Sequence, residues 1–349
     1  MVTSIQEAIA TLVEGRSLTQ SQAAAAAEEI MSGNATEAQI GGFLAALRVK
    51  IESADEIIGM ARVMREKSLH VPTDGNVIEL VGTGGDKMDT LNVSTAASLV
   101  TAAAGLKVAK HGNRAASGRM GAADILEANG VKLELSPEAV KRCVDEVDFG
   151  FIFAPAFHPA MRFAAGPRRE LGVRTVFNLM GPLTNPAGAQ YQVLGVAIPE
   201  TVGGKRQPEL GDIMASVLAE LGTKHSWVVH GDDGLDEITT TTTTQVWEVQ
   251  GGKVRTFSIS PEDAGIKRAS LADIQVKDNA NQAVMFQQSM SAGDSPAKDA
   301  VMLNAAAALV IGGLAADLRA GVGLAREAID SGAALKKLRD LAELSQTLT

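Results

Sequence analysis

Hydrophobic and polar positions in the first 70 residues recur with the helical period. Ile5, Ala8, Ile9, Leu12 and Val13 fall at i, i+3, i+4, i+7 and i+8, and Ile40, Phe43, Leu44 and Leu47 repeat the spacing. Four Ser/Thr-x-x-Glu/Gln boxes head four helices: Ser4/Glu7, Thr19/Gln22, Thr36/Gln39 and Ser53/Glu56. In each box the hydroxyl takes an orphan amide three residues on, and the longer side chain returns the bond. Gly15 and Gly33 stand where a left-handed residue would stop a helix. The pattern predicts a small helical domain over residues 1–71, with a later helical segment near 165–190 as a candidate to complete it.

PTDG (72–75) ends this periodicity and the chain begins to alternate. Val77–Val81 reads as an apolar strand running into GTGGD (82–86). A helix (Ser94–Ala104), a strand (Leu106–Ala109), a Gly/Asn/Arg loop and a helix (Gly121–Ala128) follow. Then come strand-like VKLEL (131–135), a helix (Pro137–Glu146) and strands at Phe151–Phe153, Gln192–Ala197 and Ser226–His230. Gln245–Val249 and Lys253–Ser258 suit a hairpin across Gly251 and Gly252, and the chain is helical again from Ala297. The threonine run Thr239–Thr244 is strand-prone and structural. Strands separated by helices predict a large α/β domain over 72–349, its central sheet covered by helices.

Composition narrows the function classes. Apolar residues make up 46% and charged residues 21%, and aromatics at 3% leave the core to Ala, Val, Leu and Ile. A net charge of −9 lacks the basic face that nucleic acid requires. One cysteine, Cys143, excludes an internal disulfide and reads as a buried helical thiol rather than a nucleophile. Val301–Ala315 is too short to span a bilayer and holds Asn304. With no signal-like N-terminus, a cytoplasmic chain with neither nucleic-acid nor membrane partners is expected.

Five stretches carry candidate chemistry. GTGGD (82–86) follows a strand, where glycines let the backbone form an anion nest. It is not the dinucleotide fingerprint, because Lys87 stands at the third glycine position, and no P-loop occurs. NVST (92–95) opens a helix, whose N-terminus is a second anion site beside the first. KHGNR (110–114), continuing through Ser117 to Gly121 and Asp124, reads as a flexible loop of fixed-geometry donors at a strand end. His158, Arg162, Arg168 and Arg169 lead into FNLMGPLTNP (177–186), and an Arg fork suits a carboxylate. GLDE (234–237) ends in Asp236 and Glu237, a pair that is costly unless solvated or met by a cation such as magnesium. His70 and His225 read as structural or exposed. Hydrolase and zinc signatures are absent.

Together GTGGD, NVST, KHGNR, GPRRELGVRTVFNLMGPLTNP (166–186) and GLDE resemble the anthranilate phosphoribosyltransferase family in order and spacing, over essentially the whole chain. The resemblance implies a helical domain joined to an α/β domain of the nucleoside phosphorylase/phosphoribosyltransferase type, usually a homodimer packed through the helical part. It implies the second step of tryptophan synthesis from chorismate, in which anthranilate's amine displaces diphosphate from C1 of the sugar. Carried over, Gly82, Gly85, Asp86, Thr90, Asn92, Val93, Ser94, Thr95, Lys110, His111, Gly112, Asn113, Arg114, Ser117 and Gly118 would bind phosphoribosyl diphosphate. Gly82, Asn113, His158 and Arg168 would meet anthranilate, and Ser94, Asp236 and Glu237 would hold Mg2+. Two departures stand out: Gly118 and Ala122 replace hydroxyl residues usual in the family, each worth about 0.5–1.5 kcal/mol if its hydroxyl met phosphate directly. Lys87, Met88 and Asp89 also replace a typically small, uncharged stretch. A pyrimidine nucleoside phosphorylase of the same fold and a non-catalytic nucleic-acid-binding relative are the alternatives.

Overall fold

The computed structural model describes residues 2–73, 76–115, 120–198 and 210–348. Four helices open the chain: α1 (Ser4–Val13), α2 (Gln20–Met31), α3 (Glu37–Lys50) and α4 (Ala54–Glu66). Thr19, Thr36 and Ser53 cap α2 to α4 with Gln22, Gln39 and Glu56 as reciprocal partners. The first cap differs from expectation. Thr3 holds it, its N–H donating to Gln6 Oε1 at 3.0 Å, while the Ser4 amide is taken by Glu29 Oε1 of α2 at 2.7 Å. A box one residue earlier wins because a neighbouring helix satisfies the next amide. Ile5, Ala8, Leu12, Ile40, Phe43, Leu44 and Leu47 are buried, whereas Val13 is exposed.

The remainder alternates strand and helix: β1 (Ile78–Gly82), α5 (Val93–Ala103), β2 (Val108–Gly112), α6 (Ala122–Ala128), α7 (Pro137–Val147) and β3 (Phe149–Phe153). Then come α8 (Ala154–Phe157), α9 (Arg162–Leu171), α10 (Phe177–Met180), β4 (Tyr191–Gly195), α11 (Leu210–Glu220), β5 (His225–Gly231), β6 (Thr244–Gln250) and β7 (Lys253–Ile259). Helices α12 (Asn279–Ser289), α13 (Pro296–Ile311), α14 (Leu318–Asp330) and α15 (Ala333–Thr347) complete it. The sheet order is β3-β2-β1-β4-β5-β6-β7, parallel from β3 to β5 and antiparallel in the terminal hairpin. From β1 the chain moves outward to β2 and β3, then returns to place β4 on the other side of β1. That reversal leaves a crevice at the carboxyl ends of β1 and β4, the preferred ligand position of open α/β sheets.

The two faces of the sheet feed different cores. Ile78, Leu80, Val193 and Val229 join α5 and the long buried α13 in one cluster. Leu194, Val196 and Val228 instead share a core with the helical domain, α11, Ala164 of α9, Val176, Phe177 and Leu183. The segment 164–183 is thus packed with the N-terminal helices although far from them in sequence.

Several expected elements shift. VKLEL is no strand: Val131, Leu133 and Leu135 are buried, but the Lys132 amide bonds Ser345 Oγ of α15 at 2.9 Å, so the C-terminal helix captures the backbone. In the threonine run only Thr244 enters a strand, because Thr239 and Thr241 turn their hydroxyls to Asp233. Strand β2 runs to Gly112, so Lys110 and His111 are buried strand residues rather than members of a flexible loop. Besides the single turn α8, two longer helices have no counterpart in the sequence reading. The sequence of α12 is polar with little apolar stripe, and α11 is apolar around much of its girth, wedged between the sheet and α4. Cys143 is fully buried in α7, which pushes its thiol up to about 11. No helix among the described residues is long and apolar enough to cross a membrane.

Candidate active site

The carboxyl ends of β1 and β4 meet under one acidic turn. Gly82 and Gly195 are register partners, and a Cβ on either would collide with Asp236. Here the glycines admit another backbone at close range. Beyond Gly82 the loop turns through Gly84 and Gly85 at φ +67° and +79°, conformations unfavourable to larger residues. The Gly84 amide donates to Asp236 Oδ2 at 2.6 Å, and the Thr83 hydroxyl accepts from the Ala197 amide at 2.9 Å, tying the β1 loop to the end of β4. Lys87 and Asp89 also hold positive φ. The strap that follows is pinned by residues 274–276, including a bridge between Thr90 and Gln275.

Helix α5 aims its N-terminus at the same place. Asn92 is its cap, with Oδ1 accepting from the Thr95 amide at 3.3 Å, and Val93 is buried beneath. The Ser94 amide donates to Glu237 Oε1 at 3.1 Å, and the Ser94 hydroxyl accepts from Lys110 Nζ at 3.2 Å. Thr95 Oγ1 is buried without a hydrogen-bond partner.

Asp86, Asp236 and Glu237 therefore crowd one low-dielectric corner. Burial and the Asp86 charge raise Asp236 to about 7, while burial followed by the Asp236 and Asp86 charges carries Glu237 well above its usual value. Lys110 on β2 lies behind them, its ammonium donating to Leu80 O at 2.6 Å. Burial lowers it to about 8, against the opposing pull of Glu79 and Glu237. No three His, Cys, Asp or Glu side chains among the described residues form a ready-made metal cage. Two carboxylates and the Ser94 hydroxyl are instead an open, hard-oxygen set, which suits magnesium completed by water and substrate phosphate.

A second cluster gathers residues of β2 and of the segment after β3. His111 Nδ1 donates to Gly181 O at 3.0 Å, and the His158 ring lies 5.0 Å away. Burial drives both towards neutrality, His111 to about 3 and His158 to about 4, and each leaves a buried Nε2 without a partner. Arg168 on α9 stacks over Phe177 at 5.3 Å. Its guanidinium has no hydrogen bond or ion pair within the described residues, and burial alone pulls its pKa down. Arg169 is exposed. Asn113, just past β2, is exposed, its Oδ1 accepting from the Arg114 amide at 2.7 Å. Arg114 forks onto Glu127 at 2.6 and 2.8 Å and reaches Asp124 at 3.0 Å, so its guanidinium is committed to α6. Ser117 and Gly118 lie outside the described residues. Ala122 opens α6 against Gly112.

Two participants were missed by sequence reasoning. Arg174 donates from Nη1 to Gly84 O at 2.5 Å, coming from the loop after α9. It lay inside a recognised motif, but nothing in its spacing showed that it turns towards β1. Glu79 is fully buried in β1 and pushed to about 7 by burial, against hydrogen bonds from the His111 amide at 3.0 Å and Gln192 at 2.8 Å. Its signal was a charge inside an otherwise apolar strand.

Comparison with known proteins is consistent along the chain. Residues 6–68 match the helical bundle domain of the glycosyl transferase family and residues 74–335 its a/b domain. The anthranilate phosphoribosyltransferase of Dehalococcoides mccartyi is 48% identical over 346 residues, 99% of each chain. That of Chloroflexus aggregans is 50% identical, covering 98% of this chain and 99% of the relative. The crystal structure of the Thermus thermophilus enzyme superposes with a TM-score of 0.88 at 42% identity, over 97% of this chain and 99% of that one. The Saccharomyces cerevisiae enzyme in complex with PRPP and Mg gives a TM-score of 0.88 at 27% identity, over 99% and 98%.

Proposed function

The chain belongs to the anthranilate phosphoribosyltransferases of the glycosyl transferase family, and on that premise we propose that it transfers phosphoribosyl from 5-phosphoribosyl 1-diphosphate to anthranilate. The observation that carries the reading is the acidic corner at the ends of β1 and β4, where backbone amides and carboxylates meet, in a fold that also holds an unpaired guanidinium. The carboxylates meet the amides of the β1 loop and the α5 N-terminus, and Arg168 on α9 is a half-buried guanidinium with no acid partner among the described residues.

The reaction forms a bond from the amine nitrogen to C1 and breaks the bond from C1 to diphosphate, the amine proton leaving to solvent. An aromatic amine is largely unprotonated near neutrality, so no strong base is required, and none is at hand in the neutral, low-pKa His111 and His158. The demand falls on the leaving group and on charge building at C1. Amides of the GTGGD turn and of the α5 N-terminus, with Asn92, Ser94, Thr95 and the Lys110 ammonium, are the donors phosphate oxygens would recruit, the Gly84, Ser94 and Thr95 amides exchanging their bonds to Asp236, Glu237 and Asn92. Magnesium held by Ser94, Asp236 and Glu237 would neutralise diphosphate as it departs. Arg168 would take the anthranilate carboxylate, with Asn113, His158 and Gly82 lining the approach to C1. Holding both substrates in register supplies much of the remaining acceleration. In the free protein Arg114 is engaged by Glu127 and Asp124, so phosphate contact at that position would use the backbone of KHGNR or exchange one anion for another.

The Saccharomyces cerevisiae relative bound PRPP and Mg in one structure and 4-fluoroanthranilate in another, which supports the substrate pair. The reading includes a cytoplasmic homodimer packed through the helical domain, and Val13 and Val49 lie exposed on that domain. Anthranilate fluorescence followed with phosphoribosyl diphosphate and magnesium tests it. Signal loss should require both additions; folded protein that leaves the signal unchanged would overturn the assignment.

A further inference from the structure

Arg174 is a cation without an assigned part in this chemistry, and it joins the segment after α9 to the β1 loop. Gly172, at φ +61°, ends α9 and turns the chain so that Arg174 points back at the β1 loop. There its Nη1 holds Gly84 O at 2.5 Å, while the amide of the same glycine donates to Asp236 Oδ2 at 2.6 Å. Gly84 is therefore gripped from both sides, by a cation on its carbonyl and a carboxylate on its amide. Gly85 leaves the room this needs, because a Cβ there would overlap the guanidinium. The other terminal nitrogen, Nη2, is buried without a hydrogen-bond partner.

The charges around Arg174 are mixed. Asp236, Asp86 and Glu52 attract it and Arg48 opposes it. Lys110 reaches Glu237 from behind β1, but the Asp86–Asp236 pair has Arg174 as its cationic neighbour. Such an arrangement has two effects of opposite sign on the ligands of the proposed reaction. A fixed cation beside carboxylates competes with a free divalent ion. A donor clamped on Gly84 keeps the positive-φ turn in the shape that presents its amides, which favours a bound diphosphate.

We propose that Arg174 is a positioning residue that preforms the GTGGD anion nest and, in the ligand-free protein, stands in for part of the divalent cation's charge. The proposal rests on the phosphoribosyltransferase reading. It predicts that Arg174 lowers the affinity of the empty site for a bare divalent ion while raising that for phosphoribosyl diphosphate. Loss of structure alone would weaken both.

The test uses the full chain with Arg174→Gln and Arg174→Lys. Mn2+ binding is measured by electron paramagnetic resonance without substrate, and the KM for phosphoribosyl diphosphate is measured by anthranilate fluorescence at saturating magnesium. For Arg174→Gln, Mn2+ should bind about three- to tenfold tighter while that KM rises by a similar factor. The anthranilate KM should stay within about twofold, as Arg168 is untouched. Arg174→Lys keeps the charge but not the fork, so Mn2+ affinity should remain within about twofold of the parent while the KM rises less than for Gln. Weaker Mn2+ binding in Arg174→Gln, or an unchanged phosphoribosyl diphosphate KM, would overturn the proposal. If Arg174→Gln does not fold, Arg174→Lys decides: Mn2+ affinity lost together with substrate affinity refutes it. A parent protein inactive with both substrates would instead refute the underlying reading, so the two failures are distinguishable.

Discussion

Gly195→Ala isolates the close approach on which the site is built. The methyl group would fall inside the carbonyl group of Asp236 and 3.2 Å from its Cα. The obstacle is backbone, so no rotamer change relieves it. Inserting a methylene into a packed interior costs about 1–3 kcal/mol, and a collision with backbone belongs at the upper end. The displaced residue also carries a proposed metal carboxylate and accepts the Gly84 amide at 2.6 Å. Moving a reacting constellation by about 1 Å costs on the order of 100-fold in rate. Gly195→Ala should therefore lower kcat/KM by about 100-fold and destabilise the fold by about 2–3 kcal/mol. Steady-state anthranilate fluorescence and urea unfolding followed by circular dichroism read the two effects separately. A variant within about threefold of the parent in kcat/KM, at unchanged stability, would show that the Asp236 turn does not need the space above β4.

Gly323→Ala is the contrast: this exposed helical glycine of α14 has nothing within 4 Å of a built Cβ, so the change should stabilise by about 0.5–1 kcal/mol in the same unfolding experiment. Arg168→Ala should raise the KM for anthranilate far more than that for phosphoribosyl diphosphate, because the guanidinium has no acid partner among the described residues; equal effects would contradict its role. His158 is held neutral with its pKa lowered from 6.5 to about 4, so an unfolded chain binds a proton that the folded one refuses. Its contribution is fully present above pH 6.5 and is lost as pH falls towards 4. His158→Asn should flatten the stability loss between those values by up to about one proton's slope. Comparing variant with parent cancels the opposing effect of Glu79, whose raised pKa of about 7 acts over much of the same range. Identical slopes in urea titrations at each pH would refute it.

Local features were legible where local chemistry decides them. The capping boxes at Thr19, Thr36 and Ser53 form as read because each is closed within one turn. The box at Ser4 failed because a side chain from α2 claimed its amide. VKLEL failed similarly: its alternating pattern buries the expected side chains, but whether a backbone pairs with a strand or with Ser345 depends on what lies beside it. Lys110 and His111 looked like loop donors because Gly112 and Asn113 follow them. In the fold they are strand residues, and neutral His111 and the lowered pKa of Lys110 are consequences of burial that no spacing reveals.

The sequence by itself determined most of the helices and strands, the glycine turn, the helix N-terminus beside it and the presence of an acidic pair, since these depend on neighbours within a few residues. It carried the family resemblance for the same reason, as five short motifs in order. Only the tertiary structure decided that β4 returns to the side of β1, putting residues 82–86 and 236–237 in contact across some 150 positions of chain. That meeting makes three carboxylates share one corner and gives Gly82 and Gly195 their reason for lacking a side chain. It also turns Arg174 onto the carbonyl of Gly84. Charge and burial act through space, and which charges become neighbours depends on how the whole chain packs.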